Sequence, residues 1–489
     1  MSDATLLRIA GAASLAGWLA GCVTVGPNFK APAAPAVDSY TRAALPAATA
    51  AAPGALGGAQ RLVAAPRAAP DWWRAFGSAK LDALVDRALG NSPTLIAAAA
   101  TLRQARQLYA AEAGSTLYPT AAAKLGATRE EINGASIGQP KVPQSTYTLY
   151  NTAVGVNYDF DLFGGNRRAL EALAAQADYQ AYEYAGARST LAANVVTTAF
   201  SQAQFIAEIE ATRAILAAQR RQLDVARQGF ALGTAARADV LALRTQVELT
   251  RASLPPLRNR LEQADHLLAV LVGQAPGAAD LPRFALADFT LPARLPLVVP
   301  SELVRERPDV QASIALLHAA TAQYGVAVAA LYPKINLSAS LGSAALTTGA
   351  LFGPGSAIWS LAGDLAQPLF NAGLKAGAGA AQASMQAVGA NYQQTVLQAL
   401  RNVADALRQL SNDAQILQRQ AAAYATARRS LELLQGQYRI GAANYLQLLV
   451  AEQQTQQIRI GLVAARAARL ADSAALYQAM GGGALTRLR

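Results

Sequence analysis

Hydrophobic and polar positions alternate clearly in the segment 146–160. Thr, Tyr, Val and Phe side chains fall on one face of this segment, and Asn, Ala, Gly and Asp side chains fall on the other. A period of two residues predicts a strand, and one apolar face opposite a small polar face is what a membrane barrel strand requires. Three further segments are strand candidates: 120–132, 334–346 and 358–370.

Two very long Ala-rich segments, 166–231 and 372–440, predict helices. The first contains no proline and only two glycines. At 1.5 Å per residue, each helix would be about 100 Å long, which no ordinary globular domain contains. Shorter helices are predicted at 235–272, with a kink or break at its proline pair, and at 442–480.

The order of these elements occurs twice along the chain. Tyr118-Pro119 recurs as Tyr332-Pro333, and Gly233 and Gly441 each follow a long helix. A period near 210 residues is too long for a solenoid unit, so the chain contains two copies of one large block.

The first 21 residues predict a signal peptide, because their apolar segment is too short to span a membrane. The segment Leu19 to Cys22 resembles a bacterial lipobox, which would be cleaved between Gly21 and Cys22. Cys22 is the only cysteine of the chain and stands where the apolar segment ends, so we expect it to carry a covalent lipid. Val23 behind it favours the outer membrane by the same resemblance.

The predicted organisation follows from these patterns. It comprises a signal peptide at 1–21, a lipidated tether at 22–70, a first repeat at 71–274, a Pro-rich equatorial linker at 275–300, a second repeat at 301–480 and a tail at 481–489. No segment after the signal peptide offers 18 uninterrupted apolar residues without charge, so no transmembrane helix is predicted. If the chain crosses a membrane, it must do so with strands.

Charge and motifs argue against other classes of function. The net charge is +11, but the basic residues are scattered, so nucleic acid is not an expected partner. The segment 134–138 fits a nucleophile-elbow pattern, yet it lies between two strands rather than between a strand and a helix. The chain has two histidines, both on predicted helices, and no metal or nucleotide motif. We therefore expect neither an enzyme nor a cofactor or metal other than the lipid.

Four strands per chain predict an oligomer. An open sheet edge cannot face lipid, because its amides would lack partners. The smallest closed outer-membrane barrels have about 8 strands and a lumen filled by side chains. A dimer would supply 8 strands and a trimer 12, and a conduit needs the larger number, so a homotrimer is the expected assembly.

Several motifs, in this order and spacing, resemble the outer-membrane efflux channel family (TolC/OprM-like), specifically its lipoprotein (NodT-type) branch. They are Cys22 to Phe29, Asp71 to Phe76, Arg307 to Val310 with Ala329 to Pro333, Tyr438 to Gly441, and Asn444 to Leu446. The resemblance implies a mainly α fold with a long α-helical barrel and a 12-stranded membrane β-barrel formed by a trimer.

The function implied by this resemblance is that of the outer-membrane channel of a tripartite efflux pump. Such a channel is a passive, gated exit duct for drugs or other small toxic compounds, anchored in the outer membrane and extending through the periplasm. Its partners would be a periplasmic adaptor and an inner-membrane pump. We expect a pump of the RND class, and the MFS and ABC classes remain alternatives. A structural coiled-coil lipoprotein and a duct for type I protein secretion remain alternatives.

The resemblance also places the gate and the adaptor contact at two helix-to-helix turns. Members of the family often carry carboxylates just after the second turn, whereas 441–450 contains no Asp or Glu. The sequence therefore does not assign the residues that form the gate. The candidates around the two turns are Gly233, Thr234, Asp239, Tyr438, Arg439, Gly441, Asn444 and Tyr445.

Overall fold

The computed structural model describes residues 24–133, 138, 141 and 143–487. The predicted signal peptide and the cleavage and lipidation positions, Gly21 and Cys22, lie outside these ranges. The strands are β1 (Arg61–Ala64), β2 (Thr120–Ile132), β3 (Ser145–Phe160), β4 (Arg294–Leu297), β5 (Lys334–Ala345) and β6 (Ala357–Ala366). The helices are α1 (Ala79–Asn91), α2 (Pro93–Thr116), α3 (Gly165–Ala231), α4 (Arg237–Ala252), α5 (Leu254–Leu271), α6 (Pro300–Glu306), α7 (Pro308–Ala329), α8 (Ala372–Arg439) and α9 (Tyr445–Ala479).

The four long strands form one antiparallel sheet in the order β2-β3-β5-β6. Each copy of the repeat supplies one hairpin, and the two hairpins meet where β3 pairs with β5. In this register Val154 of β3 lies opposite Leu341 of β5, and Leu341 lies opposite Trp359 of β6. The sheet therefore has one edge from the first copy and one from the second.

The last strand is shorter than the sequence suggested. It was expected at 358–370, whereas β6 ends at Ala366, two residues before Pro368. Proline has no N–H to donate to a ladder, and the residues that follow it are not paired. Leu369 and Phe370 consequently stand almost fully exposed just before α8.

Helices α3 and α8 contain 67 and 68 residues. The helix expected over 235–272 is divided into α4 and α5, and the division falls at Ser253, before the proline pair. Pro255 and Pro256 occupy the first turn of α5, where a helix needs no N–H donor. The expected break thus occurs at Ser253, and the prolines start the second helix.

Helix α9 begins later than the expected residue 442. The Asn444 side chain accepts a hydrogen bond from the Gln447 N–H at 2.9 Å, and the Gln447 side chain accepts one from the Asn444 N–H at 2.9 Å. This reciprocal capping box fixes the first turn of α9 at Tyr445. Residues 442 and 443 therefore belong to the preceding turn.

The chain divides into two compact units, and each takes segments from both copies of the repeat. The first unit comprises the described residues of Met1–Pro32, Leu102–Tyr179 and Ser313–Tyr392. It contains the four-stranded sheet. The second unit comprises the described residues of Ala33–Thr101, Gln180–Ala312 and Gln393–Arg489.

In the first unit, Arg168 of α3 holds the N-terminal segment. Its side chain is only 4% exposed. It donates to Asn28 Oδ1 at 2.7 Å and to the carbonyl oxygens of Val25 and Gly26, and it pairs with Glu171 at 2.7 Å. Backbone carbonyls that would be unpaired in an isolated extended segment are thereby satisfied.

The second unit is built around an aromatic core. Trp72 stacks on Tyr477 with ring centroids 5.5 Å apart, and Phe76 meets Phe200 edge to face at 4.9 Å. Phe200 also contacts Phe289, which lies in the Pro-rich segment between the two repeats. That segment is therefore part of a core and not only a connection.

The segment expected to be a tether also packs into the second unit. Strand β1 pairs in parallel with β4, and Ala68 is fully buried. Gln60 donates to Pro292 O at 3.0 Å and to Ser473 Oγ at 2.9 Å. The expected tether is rich in Ala, Pro and Gly and shows no hydrophobic periodicity, because its contacts come from backbone pairing and a few polar side chains. The described part of this segment is an ordered component of the fold.

One helix of the described residues, Pro308–Ala329, is long and apolar enough to cross a membrane by length and composition. The sequence expectation missed it because it required an uninterrupted apolar run. A packed Ala-rich helix passes the same test, so this is weak evidence for a span. In the first unit, His318 of this helix contacts Glu171 of α3 at 2.8 Å and stacks on Phe29.

Candidate functional site

The four-stranded sheet has one apolar face. Cross-strand neighbours in an antiparallel sheet share a face, so the observed register gives rows of side chains. One row contains Ala123, Val154, Leu341 and Trp359, and the next contains Ala121, Val156, Ala339 and Leu361. Trp359 and Leu361 are each 77% exposed. These two rows form an apolar surface.

The other face of the sheet is small and polar. Ser340 and Ser360 lie 2.8 Å apart between their hydroxyl oxygens, and Asn336 donates from Nδ2 to Asp159 Oδ1 at 2.6 Å. Gly155 lies opposite Ser340 in the same row. This division matches the outward apolar and inward polar sides of a membrane barrel strand.

The two long helices end in turns with the same hydrogen bonds. We call Leu232–Thr234 and Ile440–Ala442 the two tip turns. Gly233 N–H donates to Phe230 O at 3.1 Å and Thr234 N–H to Gly229 O at 2.8 Å, and in the second turn Gly441 and Ala442 make the corresponding bonds at 3.1 and 2.8 Å. The two turn glycines have φ of 73° and 75°. Both turns are Schellman motifs with glycine in the left-handed position.

The residue before each turn glycine is apolar and unprotected. Leu232 and Ile440 are each 80% exposed. Each tip turn therefore exposes one large aliphatic side chain at the equivalent position.

The structure brings three of the expected tip residues together in the second unit. The rings of Tyr438 and Tyr445 lie 5.7 Å apart. Burial raises the pKa of Tyr445, and the negative charges of Glu452, Tyr438 and Asp239 raise it further. Asp239 follows the first tip turn and Tyr445 follows the second, so the two turns share one electrostatic environment.

The other expected residues have local roles. Thr234 Oγ1 donates to Gly229 O at 3.0 Å, and Arg439 donates from Nε to Gln435 O at 3.3 Å. Asn444 is the cap of α9. These contacts shape the turns and do not join them to one another.

Sequence reasoning missed Glu452, which lies two residues beyond the stretch searched for carboxylates. Its side chain is buried, and Gln222 of α3 donates from Nε2 to its Oε1. Burial raises its pKa, and the hydrogen bond from Gln222 together with the nearby side-chain amide of Gln435 offsets part of that shift. Extending the search by half a helical turn would have found the residue, but not its burial.

Metal-binding side chains are not grouped in the part of the chain that the structure describes: no three His, Cys, Asp or Glu residues lie close enough to hold one ion.

Comparisons with known proteins agree with this geometry. The sequence profile of the family described as "Outer membrane efflux protein" matches residues 84–274 and 299–482. The pyoverdine export outer membrane protein OpmQ of Pseudomonas putida is 30% identical over 423 residues, which cover 85% of this chain and 89% of OpmQ. The antibiotic efflux pump outer membrane protein ArpC of Pseudomonas putida is 29% identical over 472 residues, or 95% of this chain and 93% of ArpC.

The fold agrees as well. The structure of the outer-membrane channel OprN superposes with a TM-score of 0.84 at 26% identity, covering 94% of this chain and 99% of OprN. The sheet with one apolar face and the long helices are thus the strand and helix portions of a known channel fold. The profile spans both copies of the repeat, and the chain belongs to the outer membrane efflux protein family.

Proposed function

We propose that this outer membrane protein is a homotrimer that forms a passive, gated exit duct. Three four-stranded sheets would close a 12-stranded barrel, and the long helices would form a tunnel through the periplasm. An inner-membrane pump, which we expect to be of the RND class, would supply the energy. A periplasmic adaptor would be the second partner. The duct would need no catalytic residues of its own.

The observation that supports this proposal most directly is the sheet. One of its faces is apolar and exposed, and its two edges, β2 and β6, come from different copies of the repeat. Exposed apolar surface of this kind is suited to lipid, and edge amides in lipid must be paired. Joining the β6 edge of one chain to the β2 edge of the next meets both requirements.

Assembly and conductance test the proposal together. The chain, purified in detergent, is expected to sediment as a trimer and to form conducting pores in planar bilayers. A monomer or a dimer without a pore would overturn it and would favour a structural coiled-coil lipoprotein. Passage of an unfolded polypeptide in place of small molecules would favour a type I secretion duct.

We assign the gate and the adaptor contact to the two tip turns. Support comes from their exposed Leu232 and Ile440 and from the shared surroundings of Asp239 and Tyr445. Cysteines placed at positions 232 and 440 avoid the left-handed glycines that follow. Oxidative cross-linking of L232C/I440C between subunits should block conductance until a reductant is added, whereas V63C in β1 should not. Undiminished conductance of the cross-linked trimer would show that the gate does not lie at these turns.

We infer that Cys22 carries the lipid that anchors the chain. The N–H of Val25 donates to Phe163 O at 3.0 Å, which fixes this residue just beyond the end of β3. Cys22 precedes Val25 by three residues, a reach of about 10 Å, so an acyl chain there could enter the adjacent membrane surface. Metabolic labelling with a palmitate analogue should mark the wild-type chain and not Cys22→Ala. Equal labelling of both would exclude this position.

The cargo is inferred from chemistry and from relatives. A wide duct lined by small polar side chains does not select its contents, so drugs and other small toxic compounds are the expected class, in line with the name of ArpC. Deleting the gene should lower the minimum inhibitory concentration of several unrelated drugs, and the wild-type gene should restore it. The class of pump encoded beside this gene would distinguish an RND from an MFS or ABC partner.

A further inference from the structure

Glu452 is a buried carboxyl group on α9, beyond the second tip turn. It is 5% exposed, and its Oε1 accepts a hydrogen bond from Gln222 Nε2 of α3. Helix α3 belongs to the first copy of the repeat and α9 to the second. This bond therefore joins the two helical hairpins inside one chain, about three helical turns from each tip turn.

Several polar atoms around this carboxyl are buried without a hydrogen-bond partner. In the described part of the chain they are Glu452 Oε2, the Oε1 atoms of Gln219 and Gln222, and the Tyr445 hydroxyl. Gln219 itself makes only a long contact, 3.5 Å from its Nε2 to Gln456 Oε1. A carboxylate can only accept, whereas a carboxylic acid carries one O–H donor. A neutral acid is therefore easier to accommodate at this buried site than a carboxylate whose second oxygen accepts no hydrogen bond.

Helices on every side bring groups toward this cluster. Helix α3 contributes Gln222, α8 contributes Gln435 and Tyr438, and α4 contributes Asp239 by way of Tyr445. The charges that act on Tyr445 are those of Glu452, Tyr438 and Asp239, and all three are negative when ionised. An ionised Glu452 would add a buried negative charge to acidic surroundings, which is unfavourable.

We propose that Glu452 is a positioning residue of the gate. The neutral acid fits the buried position between α9 and α3 and keeps the second tip turn in place, whereas ionisation there is unfavourable and favours a state in which the second hairpin moves away and exposes the carboxylate. This inference rests on the proposed function, in which the tip turns form the gate. It assigns a pH-dependent control to a position outside the turn itself.

Planar-bilayer recording from about pH 5 to about pH 8 tests the inference, because this range begins above the ordinary Glu pKa. The open fraction of the wild-type trimer should rise with pH by about 2- to 10-fold, the order expected when one polar group is buried without a full set of hydrogen bonds. Glu452→Gln keeps the size and stays neutral, so its open fraction should stay low and independent of pH. Glu432→Gln is the matched control, since Glu432 is an exposed carboxylate of α8 that pairs with Arg428, and it should retain the wild-type rise.

A second variant acts on the partner. Gln222→Leu removes the donor and should raise the open fraction at every pH. If Glu452→Gln does not assemble, Gln222→Leu decides alone, and an open fraction equal to that of the wild type at low pH overturns the inference. A wild-type rise that persists in Glu452→Gln, or a conducting wild type without any rise, also overturns it while leaving the duct intact. If the wild type forms no conducting trimer at any pH, both the proposed duct and this inference are contradicted.

Discussion

Arg469 of α9 donates from Nη2 to Gln60 Oε1 at 2.6 Å, although 409 positions separate the two residues. The arginine is fully buried, and the same Nη2 lies 3.2 Å from Thr49 Oγ1. The positive charge is offset by Asp413 and Asp472. The segment that precedes β1 is thereby tied to the last long helix through one cation.

Replacing Arg469 with Met should destabilise the protein strongly. The substitution keeps most of the volume but removes the cation from two buried carboxyls and leaves Gln60 without its donor. Breaking a buried charged network from one side costs about 3–5 kcal/mol. Chemical denaturation of the detergent-solubilised protein measures this loss, and Arg459→Met, an exposed position on the same helix, should cost far less. Equal costs for the two variants would show that the network adds no stability.

The pair of carboxyls predicts a dependence of stability on pH. Burial raises the pKa of Asp472 to about 8 from its ordinary 3.8, and the nearby Asp413 adds to the rise while Arg469 opposes it. A raised folded-state pKa contributes stability that is fully present below the unfolded pKa and is lost as pH rises through the folded one. This contribution should therefore decline between about pH 4 and about pH 8.

Asp472→Asn should remove that decline, because the amide has no proton to lose. The free energy of unfolding of this variant, compared with the wild type at about pH 5 and about pH 8, measures the difference in slope. Asp405→Asn on α8 alters only an exposed ion pair with Arg401 and should leave the slope unchanged. If Asp472→Asn kept the wild-type slope, another group would have to be its source.

Substitution of the tip-turn glycines should destabilise the protein because of their backbone conformation and not because of crowding. A Cβ at Gly233 or Gly441 would meet no atom within 4 Å, but both residues have positive φ. Alanine at either position should therefore cost about 1–2 kcal/mol. Gly436→Ala, a few residues earlier in α8 and equally uncrowded, should stabilise by about 1 kcal/mol because alanine is the better helix former. Thermal unfolding of the three variants checks both signs, and a stabilising Gly441→Ala would contradict the turn geometry.

Substitution of Gly26 should be unfavourable for two reasons, its backbone conformation and crowding by a neighbouring helix. It has φ of +83°, and a Cβ there would lie 2.7 Å from the Cα atom of Gly325 in α7. Gly26→Ala should displace the N-terminal segment from Arg168 and expose it to protease, whereas Gly58→Ala, with nothing within 4 Å, should not. Limited proteolysis followed by mass spectrometry locates the cuts. Unchanged protection of residues 24–32 in Gly26→Ala would show that the close approach is unimportant.

The sequence was sufficient for elements that have a strong internal period or a long uninterrupted helical composition. Strand β3 begins one residue before the expected start at 146 and ends where expected, and α8 starts where expected, because alternation and the absence of proline are local properties. Strands β1 and β4 were not expected, since each has only four residues and exists through pairing with a segment more than 200 positions away.

The positions of the two tip turns were predictable to a similar degree. Glycine followed by a helix start located both tip turns, because a left-handed residue is a local requirement. The proximity of Asp239 to Tyr445 and the burial of Glu452 against Gln222 depend on how separate helices pack. No pattern within either helix distinguishes a buried glutamate from an exposed one.

The β3–β5 pairing has an evolutionary consequence. Inside one chain it joins a hairpin of the first copy to a hairpin of the second, and in the proposed trimer each subunit boundary would join a second-copy hairpin to a first-copy one in the same manner. All six junctions around the barrel would then be of one kind. A half-length ancestor used six times could have closed the same ring, and gene duplication with fusion would have allowed the two tip turns, initially identical, to diverge.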